Sequence, residues 1–218
     1  MASGVVLVNG LPGSGKTTLA VALAATLGAQ LLSKDAVKEA IAAILEDPPM
    51  VGPLGAIAMN TVWALASAIP ATVVIESWWF RPRDLQFAEA GLGVVSAPRA
   101  VEIWCDVPGD LARSRYETRD RPLMYEDARH LVDDWPEWVA QAQPLALTPV
   151  LRIDTSRPVD HAELAVPCEP ISGQSSSCKR PLSRTTGGPA TRHLNARSCR
   201  SPRVCRCPCR QLLSSSPC

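Results

Sequence analysis

The segment Gly10–Thr17 constrains the fold of this chain more than any other. It reads Gly-Leu-Pro-Gly-Ser-Gly-Lys-Thr and matches the pattern G-x-x-x-x-G-K-[ST] in full. The apolar run Val5–Val8 precedes it, and Leu19, Leu23 and Leu27 follow it at helical spacing. A strand, a glycine-rich loop and a helix in this order aim backbone N–H groups and the positive end of the helix at a polyphosphate. The sequence therefore predicts a site for a nucleoside triphosphate.

Strand-like and helix-like segments alternate through the first three quarters of the chain. The strands are predicted at residues 5–8, 30–32, 72–75, 101–106 and 150–154. This alternation is typical of a parallel sheet that helices cover on both faces. The predicted fold class is therefore α/β, a P-loop NTPase with a five-stranded parallel sheet.

Glycines and polar residues set the predicted ends of two later helices. A helix is expected over residues 82–90, where Gly91 and Gly93 mark its exit. Residues 120–127 are polar and are expected to be mobile, and one further helix is predicted over residues 128–142.

The composition divides the chain near residue 166. Residues 1–166 have a net charge of −7 and contain all six tryptophans, whereas residues 167–218 have a net charge of +8 and seven of the eight cysteines. The second part has no aromatic residue, so it cannot bury enough apolar surface to offset chain entropy. We expect a folded domain over residues 1–166 and a disordered basic tail, rich in Cys, Ser, Pro and Arg, over residues 167–218.

Three interpretations of the tail stay open. Its cysteines, with His193, could bind a metal, although their spacing matches none of the usual zinc patterns. A basic arm could instead contact nucleic acid or an anionic surface. The favoured interpretation is an unstructured extension without function, because its composition is what a GC-rich gene yields when it is read out of frame.

The N-terminus and the most apolar stretch of the sequence indicate where in the cell the protein is expected. No charged region of a secretory signal precedes the first strand. The stretch Leu54–Ile75 is interrupted by Asn60, Ser67 and Pro70, which argues against a membrane span. The sequence therefore predicts a cytoplasmic protein without structural disulfides.

Acidic residues lie at the carboxyl ends of four of the predicted strands. Ligands bind beyond these ends in open parallel sheets, so Asp35, Glu76, Asp106 and the segment Asp154-Thr155-Ser156 are candidates for the site. Glu76 follows an apolar strand, where a carboxylate can hold Mg²⁺ or its water. Asp106 competes for this role, but Glu102 and Trp104 in its strand indicate a less buried position in the sheet.

These motifs resemble those of small P-loop kinases that phosphorylate hydroxyl groups. The phosphate loop followed by Ser33-Lys34-Asp35 is similar to gluconate and shikimate kinases, chloramphenicol phosphotransferase, zeta toxins and the polynucleotide kinase domain, an AAA-like ATP-binding group. Residues 107–119 resemble the start of the adenylate-kinase lid. The resemblance covers about residues 3–160 and implies a P-loop kinase domain with a short arginine-bearing lid.

The cofactors expected at the phosphate loop are ATP and Mg²⁺. The Lys16 ammonium would reach the β- and γ-phosphates and act in catalysis, and the Thr17 hydroxyl would bind Mg²⁺ together with Glu76. The alternative for Glu76 is a solvated acid at the end of a strand. The predicted ATP-binding residues of the loop are Gly10, Leu11, Pro12, Gly13, Ser14, Gly15, Lys16, Thr17 and Thr18.

Asp35 and the lid arginines complete the expected catalytic set. Asp35 would accept the proton of the acceptor hydroxyl, and its alternative role is to cap the helix predicted to begin after Ser33. The resemblance places Arg115 against the adenine ring and brings Arg119, a catalytic residue, and Arg121 onto the phosphates. Arg115 and Arg119 are expected on one helix face. The alternative is a solvated helix in which acidic neighbours pair with the arginines.

The acceptor is the least specified part of the site. The segment Trp78–Arg83 could hold an apolar or ring-bearing acceptor that carries a negative group, although at least one of its tryptophans is expected in the core. Glu76-Ser77-Trp78 stands where shikimate kinases have a glycine triplet, which makes shikimate an improbable acceptor. His130 and His161 are expected on the surface.

The leading prediction is an ATP-dependent phosphotransferase that acts on a hydroxyl group of a small molecule, as a monomer or homodimer without a membrane partner. A kinase for a nucleic-acid 5′-hydroxyl or a nucleotide-sugar is the alternative. The acidic folded part argues against a nucleic-acid partner. A third class is a nucleotide-dependent switch ATPase without transfer chemistry.

Overall fold

The computed structural model describes residues 2–45 and 52–160, and five parallel strands form its central sheet. The spatial order of the strands is β2-β3-β1-β4-β5, so β2 and β5 are the edges. The predicted α/β P-loop fold is confirmed. The strand bounds are β1 Gly4–Asn9, β2 Gln30–Ser33, β3 Thr72–Glu76, β4 Ala100–Asp106 and β5 Val150–Asp154.

The register of β1 with its neighbours determines where the site forms. Val8 of β1 pairs with Glu76 of β3, and Asn9 pairs with Trp104 of β4. On the far side of β3, Ser33 of β2 also pairs with Glu76. The carboxyl ends of these strands are therefore level, and the loops that follow them share one edge of the sheet.

Seven helices and one 3₁₀ turn lie between these strands in the described residues. Their bounds are α1 Lys16–Leu27, α2 Lys34–Ala42, α3 Gly52–Ala68, α4 Arg81–Val95, α5 Gly109–Glu117, the 3₁₀ turn Leu123–Tyr125, α6 Asp127–Asp133 and α7 Trp135–Gln141. None of these helices has the length and apolar character that a bilayer span requires.

The side chains of β1 alternate between two hydrophobic clusters. Val6 and Val8 pack with Leu19 and Leu23 of α1 on one face of the sheet. Val5 and Leu7 pack on the other face, in a cluster to which α3 and α4 contribute Val62, Trp63 and Ala88. Every residue of β1 is buried, as the predicted central strand requires.

Helix α4 continues through the two glycines at which the sequence predicted its exit. Gly91 lies in the helix because Trp63 of α3 packs against it, and a Cβ at this position would lie 2.2 Å from Trp63 Cε2. The helix ends at Val95, where Ser96 adopts a left-handed conformation with φ of 49°. The role of Gly91 is therefore a close helix–helix approach rather than a cap.

The region after α5 is more structured than predicted. The single helix expected over residues 128–142 is divided into α6 and α7, and Pro136 lies in the first turn of α7. Proline has no N–H to continue a preceding helix, which accounts for the break. The segment expected to be mobile contains the 3₁₀ turn, whose Tyr125 is buried.

Strand β4 lies inside the sheet, between β1 and β5, so its predicted lesser burial is wrong. Glu102 has no exposed surface. Its carboxylate accepts hydrogen bonds from Asn9 Nδ2, the Leu145 amide and the Ala146 amide, each at 2.9 Å. These donors compensate for the burial of the charge and join β1, β4 and the segment before β5.

Two predictions fall on residues that the structure does not describe. The basic tail over residues 167–218 and the surface position of His161 lie outside the described residues. The domain boundary at residue 166 stays a prediction.

Candidate active site

The loop between β1 and α1 has a backbone that requires glycine. Gly13 and Gly15 have φ values of 82° and 84°, a left-handed conformation that glycine adopts without strain. A Cβ on Gly13 would lie 2.0 Å from the carbonyl oxygen of Ala112 in α5. Helix α1 then begins at Lys16 without a side-chain cap or an acidic residue in its first turn. This N-terminus is open to an anionic ligand.

Lys16 lies folded over the loop. Its side chain is 5% exposed, and Nζ donates a hydrogen bond to the Leu11 carbonyl oxygen at 2.9 Å. Burial lowers the pKa of this ammonium, and the nearby Glu76 carboxylate opposes the shift. A phosphate at the loop would give Lys16 a stronger partner than this carbonyl.

Glu76 is bound by two hydroxyl groups at the end of β3. Thr17 Oγ1 donates to Glu76 Oε1 at 3.2 Å, and Ser33 Oγ donates to Glu76 Oε2 at 2.8 Å. Asp106, the other candidate for the metal, lies apart from this group, with a half-exposed side chain that faces Arg152 Nη1 at 3.4 Å. The structure brings Thr17 and Glu76 together and leaves Asp106 outside.

The group around Glu76 suits Mg²⁺ that arrives with a nucleotide. Mg²⁺ prefers oxygen ligands and is commonly held by one or two carboxylates, water and the phosphates of the substrate. Thr17 Oγ1 and Glu76 Oε1 are adjacent oxygen donors of this kind. Among residues 2–45 and 52–160, no cluster of three or more His, Cys, Asp or Glu side chains forms a metal site of its own.

Asp35 lies in the first turn of α2 and is paired rather than free. Ser33 is the N-cap, with its Oγ 3.5 Å from the Ala36 amide, so Asp35 does not cap the helix. Arg121 Nη2 donates to Asp35 Oδ2 at 2.6 Å, and Arg121 Nη1 lies 3.5 Å from Asp127 Oδ1. The guanidinium carbon of Arg121 also lies 3.5 Å from the centroid of the Tyr125 ring.

A cavity of about 160 Å³, here called the Asp35 cavity, connects the phosphate loop with α2 and the lid. The candidate catalytic residues Lys16, Asp35 and Arg119 all line it, as do Thr17, Glu76 and Arg121. Its other lining residues are Pro12, Lys34, Lys38, Gly55, Trp78, Arg83, Tyr116, Tyr125, Asp127, His130 and Trp138.

A second cavity, here called the Arg115 cavity, has a volume of about 470 Å³ and lies beside the loop and β5. Arg115 donates from Nη1 to the Thr155 carbonyl oxygen at 3.0 Å and from Nη2 to the Ser156 carbonyl oxygen at 2.9 Å. Arg113 instead pairs with Glu117 on the exposed face of α5. The solvated-helix alternative therefore holds for Arg113 and not for Arg115.

The spacing of four residues predicted that Arg115 and Arg119 share one helix face. This prediction is wrong, because α5 ends at Glu117 and Arg119 lies beyond the helix. The chain turns after Thr118, and the Arg119 amide donates to the Tyr116 carbonyl oxygen at 3.3 Å. Arg119 lines both the Arg115 cavity and the Asp35 cavity. It is therefore positioned between the two spaces.

The aromatic segment after β3 divides between core and site. Trp79 is buried and stacks on Trp63 with the ring centroids 6.2 Å apart. Trp78 lines the Asp35 cavity and contacts the Trp138 ring edge-on at a centroid distance of 6.0 Å. This division agrees with the expectation that at least one of the tryptophans belongs to the core.

Several lining residues of the Asp35 cavity were not predicted from the sequence. Lys38 and Tyr125 were not singled out, and His130 was expected on the surface. His130 lies against Trp138 at a centroid distance of 5.1 Å and hydrogen-bonds Asp134. Lys38 had one available signal, because a residue three positions after Asp35 lies on the same side of a helix.

Comparisons with known proteins agree with this architecture. The family model AAA_33, described as an AAA domain, matches residues 5–134. A solved structure of a candidate kinase from Chloroflexus aurantiacus J-10-fl is 27% identical with a TM-score of 0.58, and the match covers 72% of this chain and 92% of that chain. The APS kinase of Mycobacterium tuberculosis, solved with AMPPNP and APS, is 20% identical with a TM-score of 0.52 over 74% of this chain and 92% of its own. A search of curated proteins found no match.

The family model spans more than half of the chain and includes the phosphate loop, Asp35, Glu76 and the lid arginines. The structure has the parallel sheet and glycine-rich loop of a nucleotide-binding P-loop protein. The chain therefore belongs to the AAA_33 family of AAA domains and has a kinase-like P-loop fold.

Proposed function

We propose that this chain transfers the γ-phosphate of ATP to a hydroxyl group of a small molecule. One observation carries the proposal: a single cavity contains Lys16 of the phosphate loop, the Thr17–Glu76 pair and the Asp35 carboxylate. A nucleotide switch needs the first two features, whereas a carboxylate in the same cavity can also accept the proton of an acceptor hydroxyl. The similarity to the Chloroflexus candidate kinase also supports a kinase.

The chemistry requires the acceptor oxygen to bond to the γ-phosphorus while the bond between that phosphorus and the β–γ bridging oxygen breaks. ADP is then the leaving group, and the hydroxyl proton passes to the Asp35 carboxylate. Lys16 and Arg119 would balance the charge on the phosphates. Thr17 and Glu76 would hold Mg²⁺, which neutralises phosphate charge when it is bound.

The two cavities provide a place for each reactant. The nucleoside of ATP would occupy the Arg115 cavity, whose lining includes Gly13 and Gly15 of the phosphate loop but not Asp35. The acceptor would occupy the Asp35 cavity and approach the γ-phosphate from the side opposite to ADP. In-line geometry of this kind supplies much of the rate enhancement in phosphoryl transfer.

The test is a transfer screen with γ-labelled ATP over sugars, nucleosides, antibiotics and oligonucleotides. Asp35→Asn should bind ATP with nearly wild-type affinity and transfer label at least about a hundredfold more slowly. Asp106→Asn is the matched control, because this exposed carboxylate lies outside the cavity. ATP hydrolysis that no hydroxyl compound accelerates would instead identify a switch ATPase, and unchanged transfer by Asp35→Asn would refute the role of the base.

A further inference from the structure

Six cationic side chains and three carboxylates line the Asp35 cavity. The cations are Lys16, Lys34, Lys38, Arg83, Arg119 and Arg121, and the carboxylates are Asp35, Glu76 and Asp127. Arg121 already pairs with both aspartates, and Glu76 is bound by hydroxyl groups. The carboxylates of the lining therefore leave most of the cations without a partner inside the cavity.

Lys38 is the clearest case of an uncompensated charge. The residue is 4% exposed, and an ammonium has three hydrogen-bond donors. Its contacts are the Met124 carbonyl oxygen at 3.5 Å from Nζ and the face of the Tyr125 ring at 4.2 Å. Burial of a charge with so few partners is costly, and folds retain it where a ligand completes the site.

Lys34 adds a second charge on the same side of α2, one helical turn earlier. Neither Lys34 nor Lys38 has a carboxylate within ion-pair distance among residues 2–45 and 52–160. Burial lowers the pKa of both lysines, and Asp35 opposes part of this shift. Neighbouring cations lower the pKa further, since Arg83 acts on Lys34 and Lys34 acts on Lys38. An anion between the two lysines would relieve this repulsion.

We infer that the acceptor is a hydroxyl compound with a carboxylate or phosphate group, and that Lys34 and Lys38 bind this group. This inference rests on the proposed phosphoryl transfer and specifies its substrate class. Arg83 is excluded from the primary site because Asp84 already binds it through two hydrogen bonds. Lys16 and Arg119 are reserved for ATP.

The aromatic wall of the cavity suits the body of such a compound. Trp78 and Trp138 line the same cavity as the lysines. The Trp78 Nε1 donor is buried and has no hydrogen-bond partner within the described part of the chain. A ring that bears oxygen substituents could pack on these faces and accept this hydrogen bond.

The experiment compares hydroxyl compounds in pairs that differ in one anionic group. The pairs are glucose with glucose 6-phosphate, sorbitol with gluconate, and benzene-1,4-dimethanol with 4-(hydroxymethyl)benzoate. ADP release by the full chain with Mg-ATP gives kcat/KM, and calorimetry with Mg-AMPPNP gives binding. The phosphate pair and the two carboxylate pairs distinguish the two anion types.

In at least one pair the anionic member should have a kcat/KM at least about tenfold higher, because a charged hydrogen-bonded contact is worth more than a neutral one. Lys34→Gln/Lys38→Gln should abolish this preference, so that the two members of the pair have kcat/KM values within about twofold of each other. Arg113→Gln, in an exposed ion pair on α5, should keep it. Each single variant, with its fold checked by circular dichroism, provides a second test if the double variant is unstable.

The outcomes separate the substrate class from the reaction. Anion binding that depends on the lysines, without ADP release, would support the anion site and refute phosphoryl transfer. Equal use of both members of every pair, a preference that survives in the double variant, or no binding of any anionic compound by wild type would overturn the anion site.

Discussion

Arg121 and Asp35 form an ion pair across the Asp35 cavity, with Arg121 Nη2 2.6 Å from Asp35 Oδ2. The two residues come from separate elements, because Asp35 lies in α2 and Arg121 follows α5. The Tyr125 ring packs against one face of the guanidinium group, and Asp127 Oδ1 forms an ion pair with Arg121 Nη1. The candidate base is therefore held by the lid segment.

We expect Arg121→Gln to lower kcat by at least about tenfold, because a base that is not oriented rarely reaches the acceptor hydroxyl. The affinity for ATP should change by less than about threefold, since Arg121 contacts Asp35 and not the phosphate loop. Single-turnover transfer and calorimetry with ATP measure the two quantities. Arg129→Gln, which loses two ion pairs in the same region, with Glu126 and Asp134, is the control. A large loss of ATP affinity would instead favour the predicted contact of Arg121 with the phosphates.

The Mg²⁺ dependence distinguishes Glu76 from Asp106. Glu76→Gln should raise the Mg²⁺ concentration for half-maximal activity by about tenfold, because a neutral amide is a poorer partner for the metal and its water. Asp106→Asn should leave that concentration unchanged, since its carboxylate faces Arg152 on the surface. Titration of Mg²⁺ at saturating ATP measures both variants. The opposite ranking would assign the metal to Asp106.

The two glycines of α4 give a matched pair for stability. Gly91→Ala should lower the free energy of unfolding by about 1–3 kcal/mol, because its methyl group would overlap the Trp63 ring. Gly93→Ala has nothing within 4 Å of its Cβ and should raise the free energy by up to about 1 kcal/mol through helix propensity. Urea denaturation of both variants checks the difference. Equal effects would show that Trp63 moves aside without cost.

The sequence predicted the elements whose causes are local. The phosphate loop and the five strands follow from short runs of residues, and the shared edge of the sheet follows from parallel topology. The role of Gly91 was not predictable, because it depends on Trp63, which lies 28 positions earlier in another helix. The burial of Glu102 likewise depends on amides at residues 145 and 146 that come from a loop.

The contacts of the lid arginines also could not be predicted from the sequence. A spacing of four placed Arg115 and Arg119 on one face only if the helix continued, and α5 ends between them. The pairing of Arg121 with Asp35 joins residues 86 positions apart, and no sequence period reports such a contact. Sequence patterns identified the arginines as candidates for the site. Only the structure shows that Arg115 contacts the segment after β5 and that Arg121 pairs with Asp35.

We expect the buried charge of Lys38 to lower the stability of the folded protein when no ligand is bound. Its pKa is lowered, so below that pKa the folded state carries a charge that is costly to bury. Lys38→Met should therefore raise the free energy of unfolding by about 1 kcal/mol at pH 7. As the pH rises through the lowered pKa toward 10.5, wild-type Lys38 loses its proton in the folded state, and the advantage of the variant should shrink.

The measurement is the difference between the unfolding free energies of Lys38→Met and wild type from pH 7 to pH 10. The difference cancels contributions from Cys105, whose pKa burial raises to about 12, and from the buried tyrosines. The charged groups that face Lys38 are Lys34, Asp35, Arg121 and Asp127, and they are common to both proteins. A difference that grows with pH, or a variant less stable at pH 7, would contradict an uncompensated charge.

Arg115 gives the last test, because it joins the lid helix to the segment after β5. Its two hydrogen bonds hold the carbonyl groups of Thr155 and Ser156 at the wall of the Arg115 cavity. Arg115→Gln should weaken ATP binding by about tenfold or more, since the shorter glutamine amide cannot make both hydrogen bonds of the guanidinium group. The affinity of the same variant for inorganic triphosphate, which has no nucleoside, should fall by less than about threefold. Arg113→Gln on the exposed face of α5 should bind both ligands as wild type does, and equal losses for ATP and triphosphate would place the nucleoside outside this cavity.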